Sequence, residues 1–301
     1  LAVVVQMCHL PRLASAFAES GAVATVVAHI ADIEPLAAGG LATALRAMTA
    51  GSDAARREAL TVRGVPILCK ALLGCPDLGG RYGLAHALST LLKGEWAVAF
   101  EAAGWPALLA VLSLATPPVL EGQQAVDPTA HTAMHAEAAR GAAALLVTNK
   151  ASREALGEDA NALRFLTHCL TSLTLQPDME ADEMLALGAS HALVATLESA
   201  QIELVDDGAR ALIQLANQPR LVAPLAEANA APAIVRVLGS VEPAIAAPLG
   251  HALGTMVATS EEVRRAALAA GGAAAVSIAL LKMQTQGAAL HAEGRTILAL
   301  T

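Results

Sequence analysis

A six-residue phrase recurs along this chain at a regular spacing. It reads HALSTL from His86, HCLTSL from His168 and HALGTM from His251, so successive copies are 82 and 83 residues apart. A related phrase, RALIQL, begins at Arg210, 42 residues after the second copy and 41 before the third. The underlying period is therefore about 41 to 42 residues. Helical patterning repeated at such a period indicates a solenoid, because each unit buries its apolar face only against its neighbours.

A second phrase marks the start of another helix in each unit. It is a pair containing Gly, Ala or Asn, followed by apolar residues further along one helix face. Gly and Asn tolerate the left-handed conformation that ends a helix, and a Pro is accommodated in the first turn of the next. Each unit is thus predicted to contain a short helix, a sharp turn, a second helix, a loop and a longer third helix. The second residues of the pairs are Ala22, Gly64, Gly104, Ala189, Ala230 and Gly272, and the prolines are Pro66, Pro106 and Pro232.

The composition fits closely packed helices. The chain is 55% hydrophobic but only 2% aromatic, so Ala, Leu, Val and Ile must fill the core. Small side chains let helices approach one another closely. A repeat array has no fixed core size, so we predict one solenoid domain over residues 1–301, as a fragment of a longer array. The expected fold is an all-α, right-handed superhelical solenoid of about six to seven three-helix repeats, without strands.

With this period, helix order and glycine turn, the chain resembles the armadillo-repeat family, whose third helices carry an Ala-Leu-x-x-Leu core. The resemblance covers nearly the whole chain, and HEAT repeats, another stacked-helix solenoid, are the alternative. In the armadillo family the third helices line a concave groove that binds extended peptides. The Trp and Asn residues common in that groove are missing from the matching positions here. The resemblance therefore implies a protein-binding groove without importin-like recognition of basic localisation peptides.

Polar residues occupy the matching groove positions instead. Residues four apart share one helix face, so each third helix would present a pair of them. Arg pairs well with carboxylates, which predicts an extended or helical, acidic protein segment as the partner. At least three of the His and Arg side chains should then be exposed. The alternative is that they hold the register between stacked helices. The candidate groove residues are His86, Thr90, His168, Ser172, Arg210, Gln214, His251, Thr255 and Arg295.

The stretch 114–135 interrupts the repeat. Its prolines and glycine predict an irregular loop or insertion, and helical patterning resumes near Thr129. Two registers fit residues 136–148, which form either a displaced third helix or the second helix of a degraded repeat. A long loop on a solenoid is a usual place for partner contact, and an unimportant insertion is the alternative.

No arrangement of residues predicts catalysis, a metal or a cofactor. His131 and His135 have a spacing that can hold zinc on a helix, but no further ligands are evident, so we interpret them as a solvated surface pair. Neither a nucleophile elbow nor a catalytic carboxylate pair is evident. Trp96 and Trp105 are predicted to pack in the core. The cysteines are predicted to be buried free thiols in a reducing compartment; they are Cys8, Cys69, Cys75 and Cys169.

The net charge of the chain limits the classes of partner that it can bind. The net charge of −8 argues against nucleic acid or a membrane surface as the partner, since both require clustered Lys and Arg. Apolar stretches are too short to cross a bilayer. We therefore predict a non-catalytic, cytoplasmic protein-binding scaffold or adaptor that uses its concave face. Two alternatives stay open. One is a structural component of a large cytoskeletal or ciliary assembly, which the low charged content of 15% favours, and the other is the helical regulatory region of a larger enzyme.

Overall fold

The computed structural model describes residues 7–8, 10–114, 128–177, 182–199 and 201–285. Within these ranges the chain is helical and contains no strand, which confirms the all-α prediction. The chain divides into two compact units, Leu1–Ala142 and Ala143–Thr301, and each is described by itself.

The first unit consists of groups of two short helices followed by a longer one, as the repeat pattern predicted. The boundary between the units falls inside its last helix, α9. The helices are α1 (Pro11–Glu19), α2 (Ala22–Asp32), α3 (Pro35–Ala50), α4 (Asp53–Thr61), α5 (Gly64–Gly74), α6 (Leu78–Leu92), α7 (Trp96–Ala103), α8 (Trp105–Leu112) and α9 (Pro128–Thr148).

The second unit returns to the same order near its end, in α14, α15 and α16. Its copies of the recurring phrase lie on α11, α13 and α16, which are 15, 15 and 17 residues long. The elements are α10 (Lys150–Gly157), α11 (Ala160–Thr174), α12 (Glu183–Leu197), α13 (Ile202–Ala216), a 3-10 turn (Pro219–Leu221), α14 (Val222–Glu227), α15 (Ala230–Leu238), α16 (Pro243–Thr259), α17 (Glu261–Ala269) and α18 (Gly272–Thr285).

Left-handed residues form most of the turns that the small-residue pairs predicted. Gly21, Asn229 and Gly271 adopt φ values of 75°, 60° and 87°. At one turn the left-handed residue is Arg63, with a φ of 62°, and Gly64 already belongs to α5. A Cβ on Gly64 would lie 2.6 Å from the carbonyl oxygen of the preceding helix, so glycine is needed there for space.

The turn predicted at Gly188 and Ala189 is wrong. Both residues lie inside α12, which continues without a break from Glu183 to Leu197. Gly188 packs against Ala143, because a Cβ on Gly188 would lie 2.2 Å from the Cβ of Ala143. The glycine therefore permits two helices to approach closely, a role that the sequence pattern does not distinguish from a turn.

The residues predicted to fill the core are buried. Trp96 and Trp105 are 1% and 5% exposed, and the Phe100 ring meets Trp105 edge-on with centroids 5.5 Å apart. All four cysteines are buried and unpaired, as predicted. Burial raises the pKa of Cys69 and of Cys169 to about 11, so both thiols stay protonated at neutral pH.

Helix α9 replaces part of the irregular loop that was predicted over 114–135. It begins at Pro128, and residues 115–127 lie outside the described ranges. The hydroxyl of Ser89 on α6 donates to Glu137 Oε2 at 2.9 Å, and His135 Nε2 donates to the Leu112 carbonyl at 2.8 Å. The first half of α9 thus contacts both α6 and the end of α8, and both interpretations of residues 136–148 stay predictions.

No single helix among the described residues is long and apolar enough to cross a membrane. Three bent pairs of neighbouring helices pass the same test of length and composition when each pair is taken together. They are Arg12–Glu19 with Ala22–Asp32, Pro219–Glu227 with Ala230–Leu238, and Glu261–Ala269 with Gly272–Lys282.

Candidate functional site

A cleft of about 520 Å³ lies along α11 and α13 in the second unit. Four of the residues that line it were predicted from the sequence as groove residues; they are His168, Ser172, Arg210 and Gln214. All four are exposed. The structure therefore brings together two of the predicted polar pairs, from adjacent copies of the recurring phrase.

Hydrogen bonds to the backbone at both ends of α11 hold this helix in place beside the cleft. The Asp159 carboxylate accepts hydrogen bonds from the backbone N–H groups of Asn161 and Ala162, at 3.1 and 3.0 Å, and caps the start of the helix. At the other end, the Arg220 guanidinium donates to the carbonyl of Thr174 at 3.2 Å. With both ends fixed and its leucines buried, α11 turns its polar face to the cleft.

An ion pair joins α11 and α13 at the cleft. Arg164 Nε lies 2.9 Å from Asp207 Oδ2, and its Nη2 lies 3.8 Å from Glu203 Oε2. Arg210, on the same helix as both carboxylates, makes no ion pair with any residue that the structure describes. The charged lining is therefore two Arg and one Asp, a net charge of +1 in a chain whose net charge is −8.

Buried hydroxyls complete the lining of the cleft. Thr196 on α12 donates to the Ala192 carbonyl at 2.8 Å, and the Thr167 and Thr196 hydroxyl oxygens are 2.8 Å apart, so Thr167 donates to Thr196. Thr171, one turn further along α11, is 3% exposed, and its Oγ1 has no hydrogen-bond partner within the described part of the chain. Leaving such a group unpaired costs about 1–3 kcal/mol. Among the described residues that line the cleft, Thr171 therefore carries a buried hydroxyl that the fold leaves without a hydrogen bond.

The candidate groove residue His86 is not exposed. Its side chain is buried at 7% exposure, with its ring centroid 4.4 Å from that of Tyr82 on the same helix. Tyr82 in turn stacks on His131 of α9 at 5.5 Å. The Thr90 hydroxyl donates to the His86 carbonyl at 2.9 Å. In the first unit the recurring His is therefore a packing residue.

The remaining predicted groove residues do not line the cleft. His251 is exposed on α16, and the Thr255 hydroxyl donates to its carbonyl at 3.1 Å. Arg295 lies outside the described residues. Among the His and Arg residues of the predicted set that the structure describes, His168, Arg210 and His251 are exposed.

The interpretation of His131 and His135 as a solvated surface pair is also wrong. His131 is 5% exposed and His135 is half-buried, with ring centroids 6.3 Å apart. Burial lowers the pKa of His135; the hydrogen bond to the Leu112 carbonyl opposes this shift, and the neighbouring His131 adds to it. No cluster of three or more metal-ligating side chains occurs among the described residues.

We expect His135 to make the fold less stable in mild acid. Its pKa in the folded chain lies below the unfolded value of about 6.5, so the unfolded chain binds the proton more readily. The stability this group contributes is present above about pH 6.5 and is lost as the pH falls through the folded pKa. Urea unfolding from about pH 7.5 to about pH 5.5 should show this loss, and His135→Gln should reduce it. A variant that keeps the full wild-type pH dependence would contradict the assignment.

Sequence reasoning missed several lining residues, among them Arg164, Thr167, Thr171 and Asp207. Arg164 lies four residues before His168, and Asp207 three before Arg210, so extending each predicted helix face by one turn would have found both. Thr167 and Thr171 carry no such signal, because their burial depends on how α12 and α13 pack against α11.

No protein-family model and no curated protein matches the sequence. A computationally designed armadillo repeat protein for modular peptide recognition is similar to this structure at 14% identity and a TM-score of 0.42, covering 92% of this chain and 98% of that one. Another designed armadillo repeat protein is similar at 12% sequence identity and a TM-score of 0.41, and it has the same coverage of both chains. An engineered protein is similar at 15% sequence identity and a TM-score of 0.41, covering 92% of this chain and 97% of that one.

Proposed function

We propose that this protein is a non-catalytic binding scaffold that holds an extended, acidic segment of a partner protein along α11 and α13. The observation that carries the proposal is Arg210, an exposed guanidinium without an ion pair among the described residues, in a cleft with three other predicted groove residues. A guanidinium in this state is available to a carboxylate from outside the chain.

The lining suits a polypeptide. Ser172 and Gln214 offer hydroxyl and amide groups that can bond to the backbone of an extended segment, and Phe165 and Ala211 offer apolar surface beside them. The volume of about 520 Å³ accommodates a few side chains and leaves the rest of a segment to run along the helices. The excess negative charge of the chain disfavours nucleic acid as the partner. We place this interaction in the cytoplasm, where buried free thiols persist.

A second candidate function is a structural role in a larger assembly. Leu268 on α17 and Ile278 and Leu281 on α18 are 52%, 48% and 61% exposed. Three large apolar side chains exposed on adjacent helices favour a surface that another protein covers. In that case the partner would cover α17 and α18 and leave the cleft open.

Selection of short random peptides against the chain of residues 1–301 tests the first proposal. We expect enriched peptides to be acidic, and Arg210→Ala to weaken their binding about tenfold or more, because hydrogen bonds to charged groups contribute about 1.5–3 kcal/mol. Fluorescence anisotropy with a labelled selected peptide measures the affinity. Binding should also weaken with added salt, since the charges in this cleft are exposed to solvent.

Arg265→Ala is the matched control, because Arg265 is also exposed and lies on α17, away from the cleft. It should leave the affinity unchanged, and both variants should keep the wild-type melting temperature. Equal binding by the Arg210→Ala and wild-type proteins would overturn the proposal and direct attention to α17 and α18.

A further inference from the structure

We infer that the buried hydroxyl of Thr171 selects the partner segment, by donating a hydrogen bond to the carboxylate of one Asp or Glu side chain that enters the cleft. This inference rests on the proposed function and specifies what the cleft recognises. Arg210 would bind the same carboxylate from the exposed side of the cleft.

Thr171 is unlike the other buried hydroxyls of this region. Thr174 on the same helix donates to the Leu170 carbonyl at 2.7 Å, and Ser190 on α12 donates to the Ala186 carbonyl at 2.9 Å. Thr167 is bonded to Thr196 at 2.8 Å. Thr171 is as buried as these residues and lines the cleft, but its hydroxyl has no partner among the described residues. The fold satisfies its neighbours internally and leaves this hydroxyl for a ligand.

The surrounding charges identify the ligand group as a carboxylate. Arg210 makes no ion pair with any described residue, whereas Asp207, the single acidic lining residue, is already bonded to Arg164 at 2.9 Å. A carboxylate has lone pairs for several donors, so it can accept from the Thr171 hydroxyl and from the Arg210 guanidinium together. A backbone carbonyl could accept from Thr171 but would leave the charge of Arg210 unmatched. The structure therefore favours an acidic side chain.

The fold itself has no use for the Thr171 hydroxyl. Valine has nearly the same shape as threonine and lacks the hydroxyl, so Thr171→Val removes an unpaired buried donor without opening a cavity. Folding stability should stay the same or increase. This property separates a recognition role from a structural one, because removal of a structural hydroxyl would lower the free energy of unfolding.

The test uses a peptide selected against the wild-type chain of residues 1–301. We expect selected peptides to carry Asp or Glu at one fixed position, and replacement of that residue by its amide to weaken binding about tenfold. Thr171→Val should weaken binding of the acidic peptide by about the same factor and binding of the amide peptide by less, because a hydrogen bond to a neutral amide oxygen is weaker than one to a carboxylate. This difference between the two peptides demonstrates direct coupling. Thr171→Ser, which keeps the hydroxyl, should restore binding of the acidic peptide.

Thr167→Val is the matched control, because it removes a hydroxyl that is bonded within the fold. It should lower the melting temperature, whereas Thr171→Val should not. If Thr171→Val binds both peptides like the wild type, or lowers the melting temperature as Thr167→Val does, the inference is overturned. The scaffold function survives that result as long as Arg210→Ala still weakens binding, so the two failures are distinguishable.

Discussion

Replacing Trp96 by Ala should destabilise the first unit by about 3 to 5 kcal/mol, the loss typical of removing a large aromatic side chain from a core. Trp96 is 1% exposed at the start of α7. It lies directly over Gly141 of α9, because a Cβ on Gly141 would be 2.4 Å from the Cβ, Cγ and Cδ1 atoms of Trp96. The indole therefore fills the space that this glycine leaves. Urea unfolding followed by circular dichroism measures the loss.

Val98→Ala is the control for Trp96→Ala, since Val98 lies on the same helix and is 38% exposed. It should cost well under about 1 kcal/mol. Gly141→Ala alone should also destabilise, because its methyl group collides with the indole. Trp96→Ala removes the Cγ and Cδ1 atoms that this methyl group would meet but keeps Cβ, so the collision is relieved in part and the two losses should be less than additive. Additive losses, or a Trp96→Ala variant as stable as Val98→Ala, would show that this contact does not hold α7 against α9.

The periodic pattern was sufficient to predict the third helices and the exposure of two cleft residues. His168 and Arg210 start adjacent copies of one phrase, and their spacing predicts equivalent positions on α11 and α13. The same phrase misleads at His86, which is buried: its ring centroid lies 4.4 Å from that of Tyr82, and Tyr82 stacks on His131 of α9. A phrase specifies a position on a helix, but the helix packed against it determines whether that position is exposed.

The role of a glycine likewise depends on packing that the sequence does not show. A glycine in an apolar phrase is consistent with a left-handed turn, as at Gly21, and with close helix contact, as at Gly188. The choice depends on the neighbouring backbone, which lies far away in sequence. Thr171 is a related case, because a Thr near the end of a helix gives no sign in the sequence that its hydroxyl is left without a partner. Close approach and unpaired polar groups are properties of packing, and a single sequence does not reveal them.

The backbones of two long helices of the first unit lie in close contact. The long helices α3 and α6 meet at glycines, where a Cβ on Gly39 would lie 2.4 Å from the Cα of Gly80. A Cβ on Gly83 would lie 2.7 Å from the Gly39 carbonyl oxygen. The obstacle in both cases is backbone, which cannot rotate away as a side chain can, so the helices must separate and lose packing along their length.

We expect Gly39→Val to lower the free energy of unfolding by about 3 kcal/mol, at the upper end of the usual cost of overpacking, and Gly39→Ala to lower it by less. Gly51→Ala is the control, because Gly51 follows the same helix and a Cβ there would meet nothing within 4 Å. It should leave stability unchanged within about 0.5 kcal/mol. If Gly39→Val were as stable as Gly51→Ala in urea unfolding, α3 and α6 could not be in backbone contact. The small-residue composition would then need another explanation than close packing between successive third helices.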